Sequence, residues 1–89
     1  MQQLTTQKQL ADMARILGGI VILQVLPGSP AEQAGIGYGD ILLEVNGKKT
    51  ATLQDFVDAR ELRSDGIRGK LFRNGQELEF DLTFPSDNG

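Results

Sequence analysis

The sequence predicts an α+β fold, a small β-sandwich or partly open barrel of five to six short strands with two to three helices. Short apolar runs, and segments in which apolar and polar residues alternate, are typical of short strands. Two Asn-Gly pairs, Asn46-Gly47 and Asn74-Gly75, indicate tight hairpin turns. Ser and Thr residues precede segments with helical spacing, where their side chains can cap a helix.

The first predicted helix runs from about Gln7 to Leu17, after a short strand predicted at Gln2–Thr5. Thr6 can cap the helix, because its hydroxyl can accept a hydrogen bond from a backbone N–H of the first turn. Gly18 can adopt the left-handed conformation that ends a helix. One apolar stripe follows the i, i+3, i+4, i+7 spacing and consists of Leu10, Met13, Ala14 and Leu17.

The segment Ile20–Leu26 is predicted to be a central strand covered on both faces, because it is almost entirely apolar and rich in β-branched residues. A Pro-Gly pair ends this strand. A short helix is predicted next, with Ser29 as its N-cap, a proline at its first position and Glu32 completing a capping box. Gly35 is predicted to end the short helix.

Three further strands and one long helix complete the predicted fold. The strands cover Ile41–Val45, Lys70–Arg73 and Glu77–Phe84, and the helix runs from Leu53 to about Arg63 with Thr52 as its cap. Apolar and polar residues alternate in the last strand, so one of its faces is predicted to lie in the core. That face carries Leu78, Phe80, Leu82 and Phe84.

Composition restricts the chemistry that this chain can perform. The 89 residues include no Cys and no His, which excludes thiol nucleophiles, His-based triads and zinc fingers. The net charge of −3 argues against nucleic acid as a partner. We predict one domain over residues 1–85 with a flexible tail at 86–89, with no cofactor, no metal site and no catalytic residue. No membrane insertion is predicted, because the longest apolar run is far shorter than the roughly 20 residues of a membrane span.

The residues that could carry chemistry have simpler structural interpretations. The glycine-rich segment 35–39 does not follow the spacing of a nucleotide-binding loop and is predicted to be a turn. Asp40 is predicted to accept backbone N–H bonds within this turn. The carboxylates of Glu77, Glu79 and Asp81 are predicted to face water, where charges on a strand discourage aggregation.

The apolar side chains of the helix at Leu53 spread over an arc that is wider than one core stripe. A row spaced i, i+3, i+6 can form a core face and consists of Phe56, Ala59 and Leu62. A second row, spaced i, i+4, i+7, lies on a flank of that face and consists of Leu53, Val57 and Arg60. Two interpretations stay open: all the apolar residues belong to one core, or Leu53 and Val57 line a groove.

The stretch from Gly19 to Gly47 resembles a PDZ domain, and more closely the bacterial type found in HtrA-type serine proteases and C-terminal processing peptidases. The resemblance rests on an apolar strand followed by Pro27-Gly28-Ser29-Pro30-Ala31, by Gly39-Asp40-Ile41-Leu42 and by Asn46-Gly47. It continues through the Leu53 helix and the final hairpin. The helix at Gln7–Leu17 is similar to the helix that HtrA-type domains insert before the central strand.

This resemblance implies a peptide-binding module. PDZ domains bind an extended segment or a protein C-terminus as an added strand, in a groove between an edge strand and a helix. The edge strand would be about residues 2–5, and the helix would be 53–63. The residues implied to face the peptide are Gln3, Leu4, Thr5, Leu53, Val57 and Arg60. Because Leu53 stands where some family members carry a histidine, the resemblance also implies an apolar peptide side chain at that place.

One feature of the family is not found at its expected place. In the family, a loop of the type x-Φ-G-Φ (Φ apolar) precedes the edge strand, and its amides hold the peptide's terminal carboxylate. Leu17-Gly18-Gly19-Ile20 is similar, but it leads into the central strand instead. Truncation or loss of the loop and an irregular replacement are both open.

Two classes of function follow from the resemblance. The first is a peptide-binding module that serves as a regulatory or substrate-recognition domain of a bacterial protease or envelope protein, or as a stand-alone adaptor. The second is a structural or oligomerising domain with a blocked or incomplete groove, which self-associates through the edge strand. We expect the periplasm or cell envelope if the chain is a fragment of an HtrA-type protein, and the cytoplasm if Met1 is its native start.

Overall fold

A computed structural model of the chain describes residues 6–84. Five antiparallel strands form one open sheet in the order β1-β2-β4-β5, with β3 beside β2. The predicted α+β class, with five strands and three helices in this part of the chain, is therefore confirmed. The elements are α1 (Gln7–Leu17), β1 (Ile20–Val21), α2 (Pro30–Gln33), β2 (Ile41–Val45), β3 (Lys48–Lys49), α3 (Leu53–Arg60), β4 (Gly66–Arg73) and β5 (Gln76–Thr83).

The capping residues predicted from the sequence begin all three of these helices. Thr6 and Thr52 form capping boxes at the starts of α1 and α3. At α2, the Ser29 hydroxyl accepts a hydrogen bond from the Glu32 backbone N–H at 3.3 Å. α1 ends at Gly18, whose φ of 70° lies in the left-handed region. Local sequence therefore determines where each helix begins.

Both predicted hairpin turns are present. Asn46 and Asn74 have φ values of 50° and 51°, and the glycine that follows each is left-handed as well. Two successive left-handed residues match the right-handed twist of paired strands. The first turn joins β2 to the short strand β3, which consists of Lys48 and Lys49.

A register shift in β2 separates the apolar side of the sheet from its charged side. The shift lies between Leu42 and Glu44. Because of it, Leu42 and Val45 both reach the core, whereas Glu44 pairs with Lys70 on the opposite face.

The core lies where α2 and α3 pack on one face of the sheet. Phe80 and Leu82 of β5 are buried in it, as the alternation predicts, while the acidic residues that alternate with them, Glu79 and Asp81, are exposed. A second buried group lies where α1 packs on β1 and β2 and includes Leu10, Ala14 and Ile41. The main cluster consists of Ile36, Leu42, Val45, Ala59, Ile67, Leu71, Phe80 and Leu82.

The prediction that Ile20–Leu26 is a central strand covered on both faces is wrong for its second half. Only Ile20–Val21 belong to β1, and Leu23 and Leu26 are exposed. The reason is that no other strand among residues 6–84 pairs with the chain beyond Ile22. The strand predicted at 2–5 lies outside the described residues, as does the tail predicted at 86–89.

The bounds of α3 and β4 also differ from the prediction. α3 ends at Arg60, so Leu62 lies beyond the helix and is exposed instead of completing the core face. Phe56 and Ala59 do face the core. β4 begins at Gly66, before the predicted Lys70, because its pairing with β5 continues to Thr83.

Replacing Phe80 by Ala should lower the free energy of unfolding by about 3–5 kcal/mol, because it removes a buried aromatic side chain and leaves a cavity. Glu79→Ala, on the exposed face of the same strand, is the control and should change the free energy by less than about 0.5 kcal/mol. Urea denaturation followed by circular dichroism measures both variants. Equal unfolding midpoints for the two variants would show that Phe80 does not contribute to the core.

Candidate functional site

An apolar cavity of about 300 Å³ opens between α3 and the chain that follows β1. Phe56 of α3 forms one wall, and the segment 22–26 forms another. All of its lining side chains are uncharged, and only Gln24 and Ser29 are polar. The remaining lining residues come from the core and from α2: Ala31, Ile36, Leu42, Ile67, Phe80 and Leu82. A concave apolar site with few polar groups is typical of ligand binding.

The chain beside this cavity is a free edge within the described residues. Residues 23–25 make no backbone hydrogen bond to another strand of residues 6–84. Unpaired N–H and C=O groups at a sheet edge can pair with an added strand. Leu23 and Leu26, which are 45% and 64% exposed, lie along the same edge. The site therefore offers both backbone groups and apolar surface.

Side chains tie α3 to the sheet and hold it beside the cavity. The Asn46 side-chain amide donates a hydrogen bond to the Ala59 carbonyl at 2.9 Å, and its oxygen accepts one from the Arg68 backbone N–H at 3.0 Å. Just before α3, the buried Thr50 hydroxyl donates to the Leu42 carbonyl at 3.0 Å. Both ends of the helix are therefore fixed relative to the sheet.

The first turn of α3 is held by the Asp55 carboxylate. Its Oδ2 accepts hydrogen bonds from the backbone N–H groups of Ala51 and Thr52, both at 3.0 Å. The bond from Thr52 is the main cause that lowers the pKa of Asp55 from its ordinary value of 3.8. A carboxylate with a lowered pKa stabilises the fold above its unfolded-state pKa, and this contribution is lost as the pH falls through the lowered value. At neutral pH, the capping box is therefore complete.

The predicted site residues of α3 lie on an exposed flank beside the cavity. Leu53 is 70% exposed and Val57 is 37% exposed, which excludes the interpretation that all the apolar residues of this helix belong to one core. Neither they nor Arg60 line the cavity, whereas Phe56 does. At about 100° per residue, all three lie within about 100° of Phe56 around the helix, so their flank extends the cavity wall outward. The other three predicted residues, Gln3, Leu4 and Thr5, lie outside the described residues.

The part of the cavity wall that comes from residues 22–26 was not predicted. The sequence pattern predicted a strand covered on both faces there, and it placed Phe56 in the core alone. One signal was available: Gln24 is the polar residue that interrupts the apolar run, and it indicates a face that is not fully buried.

A larger hollow of about 440 Å³ lies on the charged face of the sheet. Its lining includes charges of both signs, on Glu44, Lys70 and Glu79 among others, which is typical of a solvated face. Within residues 6–84, no group of three potential metal ligands comes together. None of the helices in this range has the length and apolar content that a membrane span requires. The apolar cavity is therefore the best candidate site.

The fold and this groove define the class of the protein as a PDZ domain. A family model described as "PDZ domain" matches residues 21–64. The putative serine protease HhoB of Synechocystis sp. is 42% identical over 65 residues, which are 73% of this chain and 16% of that protein. A probable periplasmic serine endoprotease DegP-like of Marinomonas sp. is 36% identical over 67 residues, covering 73% of this chain and 14% of the relative.

Solved structures give the same relationship. The HtrA3 PDZ domain bound to a phage-derived ligand (FGRWV) matches with a TM-score of 0.65 and 29% identity, over 73% of this chain and 62% of that one. A serine endoprotease from Yersinia pestis matches with a TM-score of 0.63 and 38% identity, over 73% of this chain and 26% of that one. The chain thus belongs to the PDZ family and is related to the PDZ domains of HtrA serine proteases. It spans only 16% and 14% of the length of the two curated relatives named above.

Ser29 both lines the cavity and caps α2, and we expect its capping role to dominate. Ser29→Ala should lower the free energy of unfolding by about 1 kcal/mol and leave peptide affinity unchanged. Ser64→Ala, in an exposed bend, is the control and should change neither. Thermal unfolding and peptide titration of both variants distinguish the roles. Lost affinity at unchanged stability would make Ser29 a binding residue instead.

Proposed function

We propose that this domain binds extended polypeptide segments or protein C-termini by strand addition, in the groove between an edge strand at about residues 2–5 and α3. The observation that carries the proposal is the uncharged, apolar cavity of about 300 Å³ beside α3. A PDZ domain of the same fold, that of HtrA3, has been solved with a bound peptide, which supports it. The residues that we propose face the peptide are Gln3, Leu4, Thr5, Leu53, Val57 and Arg60.

Affinity and specificity would come from different parts of the groove. Backbone hydrogen bonds of an added strand do not depend on the peptide sequence, so they provide affinity for any extended segment. The exposed Leu53 and Val57 and the cavity beside them favour apolar side chains, because they offer almost no partner for a hydroxyl or a charge. The preferred ligand is therefore an extended, apolar segment.

We further propose that the domain is a regulatory or substrate-recognition part of a bacterial protease or envelope protein. Relatives with this type of domain are serine proteases, and several of them are named as periplasmic. In such a protein the PDZ domain would select or hold polypeptide segments, and the cleavage chemistry would belong to a separate catalytic domain.

A second candidate function is self-association through a strand edge. Within residues 6–84, the backbone of residues 23–25 pairs with no other strand and Leu23 and Leu26 are exposed, which favours this function, because an edge of this kind can pair with a second copy of the chain. Sedimentation velocity distinguishes the two candidates. A monomer that binds peptide supports capture, whereas a dimer that excludes peptide supports self-association.

We expect the pentapeptide FGRWV to bind with a micromolar or weaker dissociation constant, on the order of −8 kcal/mol or less favourable. Amidating its C-terminus should change the affinity by less than about tenfold, or ~1.4 kcal/mol, because no charged side chain lines the cavity. Paired NMR titrations of acid and amide measure the ratio. A hundredfold loss on amidation would show that a carboxylate site exists and that the edge strand is misplaced.

Val57→Lys should weaken binding of FGRWV by at least about tenfold, because it places a charge on the apolar flank of α3 without disturbing the core. Gln54→Lys adds the same charge to the same helix, at an exposed position outside the flank, and should leave binding unchanged. Both variants should unfold near the wild-type temperature. Equal affinities for the two variants would place the peptide elsewhere.

A further inference from the structure

An ion pair with a buried carboxylate lies next to the groove without lining it. The Asp40 side chain is only 3% exposed, and it meets Arg73, which is 38% exposed, at the C-terminal end of β4. The guanidinium is bidentate: Nε donates to Oδ1 at 2.8 Å, and Nη2 donates to Oδ2 at 2.6 Å. These hydrogen bonds to Asp40 are the main cause that raises the pKa of Arg73. The guanidinium of Arg73 therefore stays charged at neutral pH.

The ion pair holds one wall residue of the groove from both sides. Arg73 Nη2 also donates to the Gly35 carbonyl at 2.5 Å, and the Gly37 N–H donates to Asp40 Oδ2 at 2.8 Å. Ile36, between these two glycines, lines the cavity and is buried. The loop that carries Ile36 is thereby fixed to the end of β4.

The backbone of Asp40 and of its neighbour Gly39 also anchors the segment 22–26. The Ile22 N–H donates to the Asp40 carbonyl at 2.8 Å, and the Gly39 N–H donates to the Ile22 carbonyl at 2.8 Å. Within residues 6–84, these are the last hydrogen bonds that join the segment 22–26 to the sheet. Where this segment lies therefore depends on where the backbone of Asp40 is held.

We infer that Arg73 is a positioning residue for the groove: by clamping Asp40, it places Ile22 and Ile36 at the distances that a bound peptide requires. This inference rests on the proposed function. Neither Arg73 nor Asp40 touches the cavity, so their effect on binding would pass through the backbone of residues 35–40. Without the guanidinium, the buried Asp40 carboxylate would lose its charge partner, and the loop would have to open to water to solvate it.

The test compares three variants. Arg73→Met removes the charge and keeps the length of the side chain, and Arg73→Lys keeps the charge but cannot form the bidentate pair. Arg68→Met is the control, because it removes an arginine that forms an exposed ion pair with Asp81 on the charged face. Each variant is titrated with FGRWV, and amide hydrogen exchange is measured without peptide.

We expect Arg73→Met to weaken FGRWV binding by at least about tenfold and Arg73→Lys to restore part of the loss. Without peptide, Arg73→Met should speed exchange selectively at the amides of Ile22, Gly37 and Gly39, beyond the change at β4 and β5 amides. Arg68→Met should alter neither readout. If Arg73→Met does not fold, Asp40→Asn/Arg73→Met, which leaves no buried charge unpaired, is measured in its place.

Two results would overturn the inference. One is wild-type affinity in a folded variant that lacks the pair, and the other is uniformly faster exchange at all amides, which would reduce Arg73 to a general stabilising role. Because exchange is measured without peptide, it tests the positioning separately. If the wild-type protein does not bind FGRWV but Arg73→Met still speeds exchange selectively, the proposed function fails with this probe. The positioning of the loop by the Arg73–Asp40 pair is then still supported.

Discussion

The burial of one carboxylate, that of Asp40, determines the geometry of this domain around its groove. A carboxylate with almost no exposure to water must accept hydrogen bonds from the protein. Here the donors are a backbone N–H of its own turn and the guanidinium of Arg73, which lies at the end of β4, on the strand that pairs beside the start of β2. Satisfying this one group joins the glycine-rich turn, the start of β2 and the end of β4. Two of these segments contribute to the cavity lining, the turn through Ile36 and β2 through Leu42.

The core and the cavity lining of this domain share side chains. Phe80, Leu82 and Ile67 belong to the core, and they also form part of the cavity lining. An apolar space beside a small core reduces stability, because the side chains around it lose contacts that a filled core would provide. A peptide that fills this space would restore such contacts. Ligand binding is therefore expected to raise the unfolding temperature, and to raise it further as more of the protein is occupied by ligand.

The opposite face of the sheet explains why the groove forms on one side only. Lys49, Glu44, Lys70 and Glu79 are cross-strand neighbours, so charges of alternating sign run across four strands. Gly69 lies between β2 and β5, and a Cβ there would lie 2.1 Å from the Glu44 carbonyl oxygen and 2.9 Å from the Phe80 ring. The missing side chain lets the Phe80 ring pack closely on the sheet. One face is thereby apolar and concave, and the other is charged and solvated.

The sequence by itself determined the features that depend on near neighbours in the chain. The helix starts at Thr6, Ser29 and Thr52, the two Asn-Gly turns and the inner face of β5 were all predictable, because capping, turn chemistry and alternation act over a few residues. The resemblance to PDZ domains rests on the same local motifs.

Only the tertiary structure decided what lies between distant segments. Arg73 reaches Asp40 across 33 residues of sequence, and no local pattern encodes that pair. The apolar run after Ile20 indicates burial, but which side of it is covered depends on which strand pairs with it. The arc of α3 likewise contained both Phe56 and Leu53, and only packing against the sheet assigned one to the cavity wall and left the other exposed. Side chains that meet across a groove are brought together by packing between distant segments. Hydrophobic periodicity cannot predict such contacts, because it depends only on residues close together in the chain.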